Sequence, residues 1–132
     1  MIRGILADTG PLYAANDEGD DHHPRALRQL KELALDRRQV LIAYPILLEA
    51  YSLLLFKLGR RAASGWLAEV SDISFVNPTP EDYAQGLTMV RSFPDQSITL
   101  VDATLGALAI RMGLNVWTYD HHFDVMRVGV WR

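Results

Sequence analysis

The sequence predicts an α/β fold in which helices cover both faces of a central parallel sheet of four to five strands. Short apolar runs alternate along the chain with longer segments of helical periodicity, and this alternation favours parallel strands joined by helical crossovers. An apolar content of 49% and a charged content of 22% are typical of a globular chain. The length of 132 residues suits one core, so residues 1–132 are expected to form a single domain.

The strands are expected where an apolar run meets turn-forming residues. Gly10-Pro11 follows the first run, and Asn77-Pro78 closes the third. In chain order the predicted strands cover residues 4–7, 40–43, 73–76 and 116–119, with a fifth at 128–131.

The helices are expected where apolar residues recur every three or four positions, or where capping residues mark an end. Apolar residues that include Leu27 and Leu30 make residues 22–38 amphipathic. Pro45 suits a first helical turn, where its missing N–H has no partner to lose. The other predicted helices are a short one that begins at Gly10-Pro11, 45–58 before Gly59, 60–70, one with Thr79 as its N-cap, and 99–112 before Gly113.

Composition excludes several classes of protein. The chain contains no cysteine, which excludes disulfide scaffolds, iron–sulfur clusters and thiol nucleophiles. Its longest apolar stretch, residues 43–56, is shorter than the roughly 20 residues that cross a bilayer, and it contains Pro45 and Glu49. The apolar run that follows Met1 is too short for a signal peptide. We therefore expect a soluble, cytoplasmic protein with no membrane partner.

The net charge of −3 does not favour nucleic-acid binding, because binding to phosphate requires Lys and Arg. Any such binding would depend on a local basic patch. Basic residues cluster at Arg25, Arg28 and Lys31, at Arg37-Arg38 and at Arg60-Arg61. The alternative is that all of these are solvated helix faces.

Four carboxylates lie in apolar surroundings, where an unpaired charge is costly. Asp8 ends a predicted strand, Glu49 interrupts residues 43–56, Asp102 lies within a predicted helix, and Asp120 follows another strand. No Lys or Arg lies within four residues of any of them. A shared divalent cation would neutralise them together. Carboxylates without sulfur ligands suit Mg²⁺, with Mn²⁺ as a substitute, and such an ion supports hydrolysis of a phosphodiester.

Each carboxylate also has a simpler structural explanation, and the residue pattern leaves all four open. Asp8 would accept the backbone amides of a turn, and Asp120 would cap a helix. Asp102 would complete a capping box with Thr99, three residues before it. Glu49 would pair with a distant arginine or stay protonated.

The residues around these carboxylates resemble the PIN domain family, and most closely the VapC-like toxin ribonucleases of type II VapBC toxin–antitoxin pairs. The matching segments are LADTGPL at residues 6–12, LLEA at 47–50, ITLVDA at 98–103 and TYD at 118–120, followed by Phe123. The resemblance implies a three-layer α/β/α fold and an Mg²⁺-dependent endoribonuclease that hydrolyses RNA. It also implies a cognate antitoxin as a partner, and a homodimer.

The same resemblance implies roles for individual residues. Asp8 and Asp102 would be the principal metal ligands and Asp120 would complete the acidic cluster, so these residues with Glu49 are the expected catalytic set. Glu49 would bind the metal directly or through water.

The resemblance further implies that a hydroxyl, of Thr9 or Thr118, holds the cluster by hydrogen bonds. This chain departs from many relatives at two places: His121-His122 stand where a second Asp is common, and Thr99 lies near a position that is often acidic. We interpret the histidines as a solvated turn, with contact to substrate as the alternative.

Three other readings compete with a nuclease. A response-regulator receiver domain would need a lysine late in the chain, but the only lysines are Lys31 and Lys57. A haloacid-dehalogenase phosphatase would have a second aspartate two residues after Asp8, where this chain has Gly10. The third alternative is a non-toxic or catalytically silent PIN-like domain that binds RNA or protein.

Overall fold

The computed structural model describes residues 3–132. Met1 and Ile2, which belong to the predicted single domain, lie outside the described residues. The five strands β1 to β5 are Arg3–Ala7, Arg38–Ala43, Ser74–Val76, Val116–Trp117 and Val130–Trp131. They pair in parallel in the order β3-β2-β1-β4-β5. The predicted parallel sheet is therefore confirmed.

The helices form the outer layers of a three-layer α/β/α fold, as predicted. In chain order α1 to α7 are Thr9–Ala14, His23–Leu35, Tyr44–Leu58, Arg60–Val70, Pro80–Ser92, Leu100–Met112 and His122–Val125. Helix α1 contacts α2 and α3, and α3 contacts α4, whereas α5 packs on α6, which contacts α7. No helix among residues 3–132 is long and apolar enough to span a membrane.

The strand order places a switch point between β1 and β4. The chain runs outward from β1 to β2 and β3, then returns to the other side of β1 to form β4 and β5. Right-handed crossovers put the connections of the two halves on opposite faces of the sheet. Ala7 pairs with Trp117 at the carboxyl end of both strands, so Asp8 and Thr118 leave the sheet side by side. Such switch points are where open α/β sheets bind ligands.

The core lies on both faces of β1 and β4. Ile5 and Leu6 are fully buried although their side chains point to opposite faces, which is typical of a central parallel strand. Trp117 and Phe123 are among the largest side chains with no exposed surface. The strand ends that carry Asp8 and Thr118 are therefore held by a packed interior.

The structure differs from prediction at the end of α2 and along its face. The helix ends at Leu35 and not near 38, because Arg37 adopts a left-handed conformation with φ 53° and Arg38 already pairs with Arg3. Leu27 and Leu30, which were expected to face the core, are exposed, and the buried stripe is Ala26, Gln29 and Leu33.

Two other predictions require correction at their ends. Residues 118–119 were expected to continue the fourth strand, but β4 ends at Trp117 because its partner β1 ends at Ala7. Strand β5 covers only Val130–Trp131 of the predicted 128–131. By contrast, the predicted break at Gly59 is confirmed: its φ of 94° suits glycine and separates α3 from α4.

Candidate metal centre

The structure brings the four predicted carboxylates to one pocket of about 360 Å³. Asp8 follows β1, Glu49 projects from α3, Asp102 lies in the first turn of α6, and Asp120 follows β4. Asp20, between α1 and α2, adds a fifth carboxylate, so the pocket draws its acidic groups from five separate parts of the chain. It opens at the switch point of the sheet.

Asp8 is buried and both of its carboxylate oxygens accept hydrogen bonds. The backbone N–H of Thr9 donates to Oδ1 at 2.8 Å, and the hydroxyl of Thr118 donates to Oδ2 at 2.7 Å. A turn aspartate would explain only the first of these bonds. Burial raises the pKa of Asp8 to about 6, although both hydrogen bonds act in the opposite direction.

Glu49 is half-buried and is tied to Asp8 through the residue between them. The hydroxyl of Thr9 donates to Oε1 of Glu49 at 2.5 Å, while the backbone N–H of Thr9 donates to Asp8. Among residues 3–132 no Lys or Arg lies within 4.0 Å of the Glu49 carboxylate. The distant arginine partner that was the alternative for Glu49 is thus absent from the described structure. The predicted hydrogen bonds from hydroxyl groups are present at both Thr9 and Thr118.

Asp102 shares its local sequence pattern with Asp82, three residues after an N-cap threonine. At the start of α5 the box is complete: Asp82 N–H donates to Thr79 Oγ1 at 3.2 Å, and Thr79 N–H donates to Asp82 Oδ2 at 2.9 Å. At the start of α6 only the first half is formed, with Asp102 N–H donating to Thr99 Oγ1 at 3.1 Å. The carboxylate of Asp102 instead lines the pocket.

The two aspartates also differ in their charge partners. Arg111 donates to both oxygens of Asp82, at 2.8 and 2.9 Å, and this pair lowers the pKa of Asp82. Burial, together with the nearby charges of Asp8 and Asp120, raises the pKa of Asp102 to about 8. Asp102 is therefore a buried acid, and no side chain among residues 3–132 supplies a positive charge that compensates it.

Asp120 lies at the half-buried edge of the pocket. Its N–H donates to Thr118 Oγ1 at 2.9 Å, and its Oδ1 accepts the N–H of His122 at 2.9 Å. The carboxylate thus supports the start of α7, as the capping alternative predicts, although His121 occupies the N-cap position itself. The Nδ1 atoms of His122 and His121 lie 3.3 and 3.8 Å from Oδ1. Neither imidazole lines the pocket.

The sequence analysis missed Asp20, His22 and Tyr119, which line the pocket, and Gln29, which contacts Tyr119. The buried amide oxygen of Gln29 accepts the Nε1–H of Trp117 at 2.9 Å and the hydroxyl of Tyr119 at 2.6 Å. Tyr119 in turn lines the pocket. A signal for Gln29 existed in the spacing, because it lies on the same helical face as Ala26 and Leu33.

The residues of the pocket suit a hard divalent cation. Five carboxylates, those of the four predicted residues and of Asp20, offer oxygen ligands. The described residues that line the pocket include no Lys or Arg. Mg²⁺ and Mn²⁺ favour such oxygen donors. A cation here would also offset the burial and the repulsion from Asp8 and Asp120 that together raise the pKa of Asp102.

The sequence and fold of the chain are similar to those of known proteins. The model of the PIN domain family matches residues 5–128. No curated protein matches the chain. A crystal structure of VapC20 from Mycobacterium tuberculosis, described as a toxin that cleaves the sarcin–ricin loop, has a TM-score of 0.82 at 24% identity, over 97% of this chain and 98% of that chain.

Two other solved structures share the fold at lower identity. VapBC2 from Rickettsia felis, bound to a DNA fragment from its promoter, has a TM-score of 0.75 at 15% identity, over 98% of this chain and 97% of that chain. FitAcB from Neisseria gonorrhoeae has a TM-score of 0.70 at 19% identity, over 97% of this chain and 96% of that chain. These similarities show a shared fold over nearly the full length of each chain.

Proposed function

The chain belongs to the PIN domain family, and from this membership we propose that it is a metal-dependent endoribonuclease that hydrolyses RNA phosphodiester bonds. One observation carries the proposal: the four predicted carboxylates, together with that of Asp20, line a single pocket whose described lining residues include no Lys or Arg. A bound cation would compensate these carboxylates, and a cation held by carboxylates at a strand-order switch point suits phosphate chemistry.

Each of the four predicted carboxylates has a role in this proposal. Asp8 and Asp102 are the principal ligands of Mg²⁺, for which Mn²⁺ can substitute, and Asp120 and Glu49 complete the set. When bound, the ion lowers the pKa of a water molecule and stabilises charge on the phosphate. The hydroxyls of Thr9 and Thr118 donate to the carboxylates of Glu49 and Asp8, and so restrict the orientation of both groups.

Purified protein incubated with single-stranded RNA tests this function. We expect cleavage with Mg²⁺ and none after EDTA is added. Asp8→Asn and Asp102→Asn should each lower the cleavage rate at least about a hundredfold, because each removes a charged ligand. Asp95→Asn, which alters an exposed carboxylate outside the pocket, is the control and should cleave at the wild-type rate. Cleavage that survives EDTA or both pocket variants would refute the proposal.

We further propose that the nuclease is the toxin of a VapBC-type pair and binds a cognate antitoxin in the cytoplasm. The support is the fold shared with VapC20 and with VapBC2. Inducible expression in a bacterium should then arrest growth, and Asp8→Asn should not. Normal growth with wild-type protein that is active on RNA in vitro would favour the alternative of a non-toxic PIN nuclease. Normal growth without such activity would favour a silent, binding-only domain.

A further inference from the structure

Two tyrosines line the acidic pocket, and each has a cation against its ring. The Cζ atom of Arg25 lies 4.4 Å from the ring centroid of Tyr119, and the Nζ atom of Lys57 lies 5.2 Å from that of Tyr13. Both distances fall within the range of cation–π attraction. Arg25 and Lys57 are therefore held at the edge of a pocket whose own charged groups are mainly carboxylates. We call them the pocket-edge cations.

The arginine is positioned by contacts that reach the core. The hydroxyl of Tyr119 donates to Oε1 of buried Gln29, and the same oxygen accepts the indole N–H of buried Trp117. These bonds fix the tyrosine ring on which the Arg25 guanidinium lies. Arg25 itself is half-buried, and no carboxylate among residues 3–132 lies within 4.0 Å of its nitrogens. Its hydrogen-bond donors are thus available to an anion.

The lysine is held at a separate element. Lys57 lies in the last turn of α3, the helix that carries Glu49, and its side chain is exposed. The hydroxyl of Tyr13 donates to Asp17, which fixes the ring beside which the ammonium lies. In the described part of the chain, Lys57 also forms no ion pair within 4.0 Å.

We propose that Arg25 and Lys57 bind backbone phosphates of single-stranded RNA next to the phosphate that is cleaved; this inference rests on the proposed ribonuclease function. A chain of net charge −3 with an acidic pocket repels RNA, so affinity requires cations placed close to that pocket. A guanidinium can donate two parallel hydrogen bonds to one phosphate. Contacts of this kind read the backbone, so they are independent of base sequence.

The salt dependence of RNA binding tests the inference, because it counts neutralised phosphates. Asp102→Asn protein, which should not cleave, is titrated with a fluorescent single-stranded RNA in Mg²⁺ at several KCl concentrations. Relative to this parent, Arg25→Gln and Lys57→Gln should each reduce the slope of log Kd against log salt by about 0.7, and the pair together by about 1.4. The charge-preserving Arg25→Lys should retain the slope while it binds more weakly.

A matched control separates this effect from a general loss of charge. Lys31→Gln removes an exposed cation from the same helix as Arg25, but one for which the described residues show no contact with the ring of either pocket tyrosine. It should leave the slope of the parent unchanged. Slopes for Arg25→Gln and Lys57→Gln equal to that of Lys31→Gln, or a parent that binds no RNA, would overturn the inference. Wild-type protein that fails to cleave while these slopes change would refute the nuclease function alone.

Discussion

Asp82 and Asp102 show how two aspartates in the same local pattern acquire different properties. Each follows an N-cap threonine by three residues, and their side chains are 3% and 8% exposed. Asp82 closes its capping box and pairs with Arg111, so its charge is compensated within the fold. Asp102 leaves its box half formed and faces Asp8 and Asp120. The uncompensated burial of Asp102 lowers the stability of the folded protein, and a bound cation would relieve this cost.

At this scale the residue pattern indicated the acidic residues, only the family resemblance indicated the supporting hydroxyls of Thr9 and Thr118, and nothing indicated the contacts of Gln29. Asp8 and Asp120 were predictable because strand carboxyl ends meet at one edge of a parallel sheet. The bond from Thr118 to Asp8 joins residues 110 positions apart, and that from Tyr119 to Gln29 spans 90. Such contacts depend on the packed side chains, for which local periodicity gives no direct signal.

The raised pKa values predict how the metal-free protein responds to pH. A carboxyl whose pKa is raised on folding binds protons more tightly in the folded state, so stability falls as pH rises from its unfolded to its folded pKa. For Asp102 that window runs from 3.8 to about 8, and for Asp8 from 3.8 to about 6. Metal-free protein should therefore lose stability between pH 4 and 8.

Asp102→Asn should remove much of this loss, because the amide does not ionise. In urea unfolding with EDTA at pH 8, we expect the variant to be more stable than wild type by at least about 1.4 kcal/mol, the equivalent of one pKa unit. At pH 4 the difference should shrink. If the free energies of unfolding of the two proteins changed in parallel with pH, the pKa of Asp102 would not be raised on folding.

At the scale of elements, helix ends were predictable where a residue type dictates them. Gly59 and Gly113 end α3 and α6 with positive φ, as expected of glycine. The end of α2 was not predictable in this way, because Arg37 takes a left-handed conformation that arginine rarely adopts. Tertiary pairing of Arg38 with Arg3 in the sheet imposes that turn.

Helix α3 also predicts an assembly. Its buried side, which includes Ile46 and Leu54, packs in the core, yet Leu48, Leu55 and Phe56 are exposed, Phe56 by 88%. We expect this apolar surface to form the homodimer that the family resemblance implies. Phe56→Glu should then convert a dimer to a folded monomer, measured by light scattering. Leu35→Glu, at a position 83% exposed on α2, is the control and should remain dimeric. A monomeric wild-type protein would contradict this expectation.

At the scale of the molecule, the fold and the acidic pocket depend on each other. The order β3-β2-β1-β4-β5 creates the crevice, and α3 and α6 bring Glu49 and Asp102 to it. The fold class was predictable from alternating elements, and the convergence from the match of four acidic segments to the family. The sequence placed Arg25 in a candidate basic cluster, but it gave no sign that Arg25 or Lys57 lies beside the acidic pocket.

Thermal unfolding with and without Mn²⁺ or Mg²⁺ tests most directly whether Asp8, Glu49, Asp102 and Asp120 together bind a divalent cation. Binding to the folded state alone contributes about 2.7 kcal/mol at a hundredfold excess over Kd, which for a domain of this size corresponds to roughly 10 °C in Tm. Wild type and the control Asp95→Asn should show this rise, and Asp102→Asn should show little of it. An equal rise in Asp102→Asn, or none in wild type, would contradict the claim.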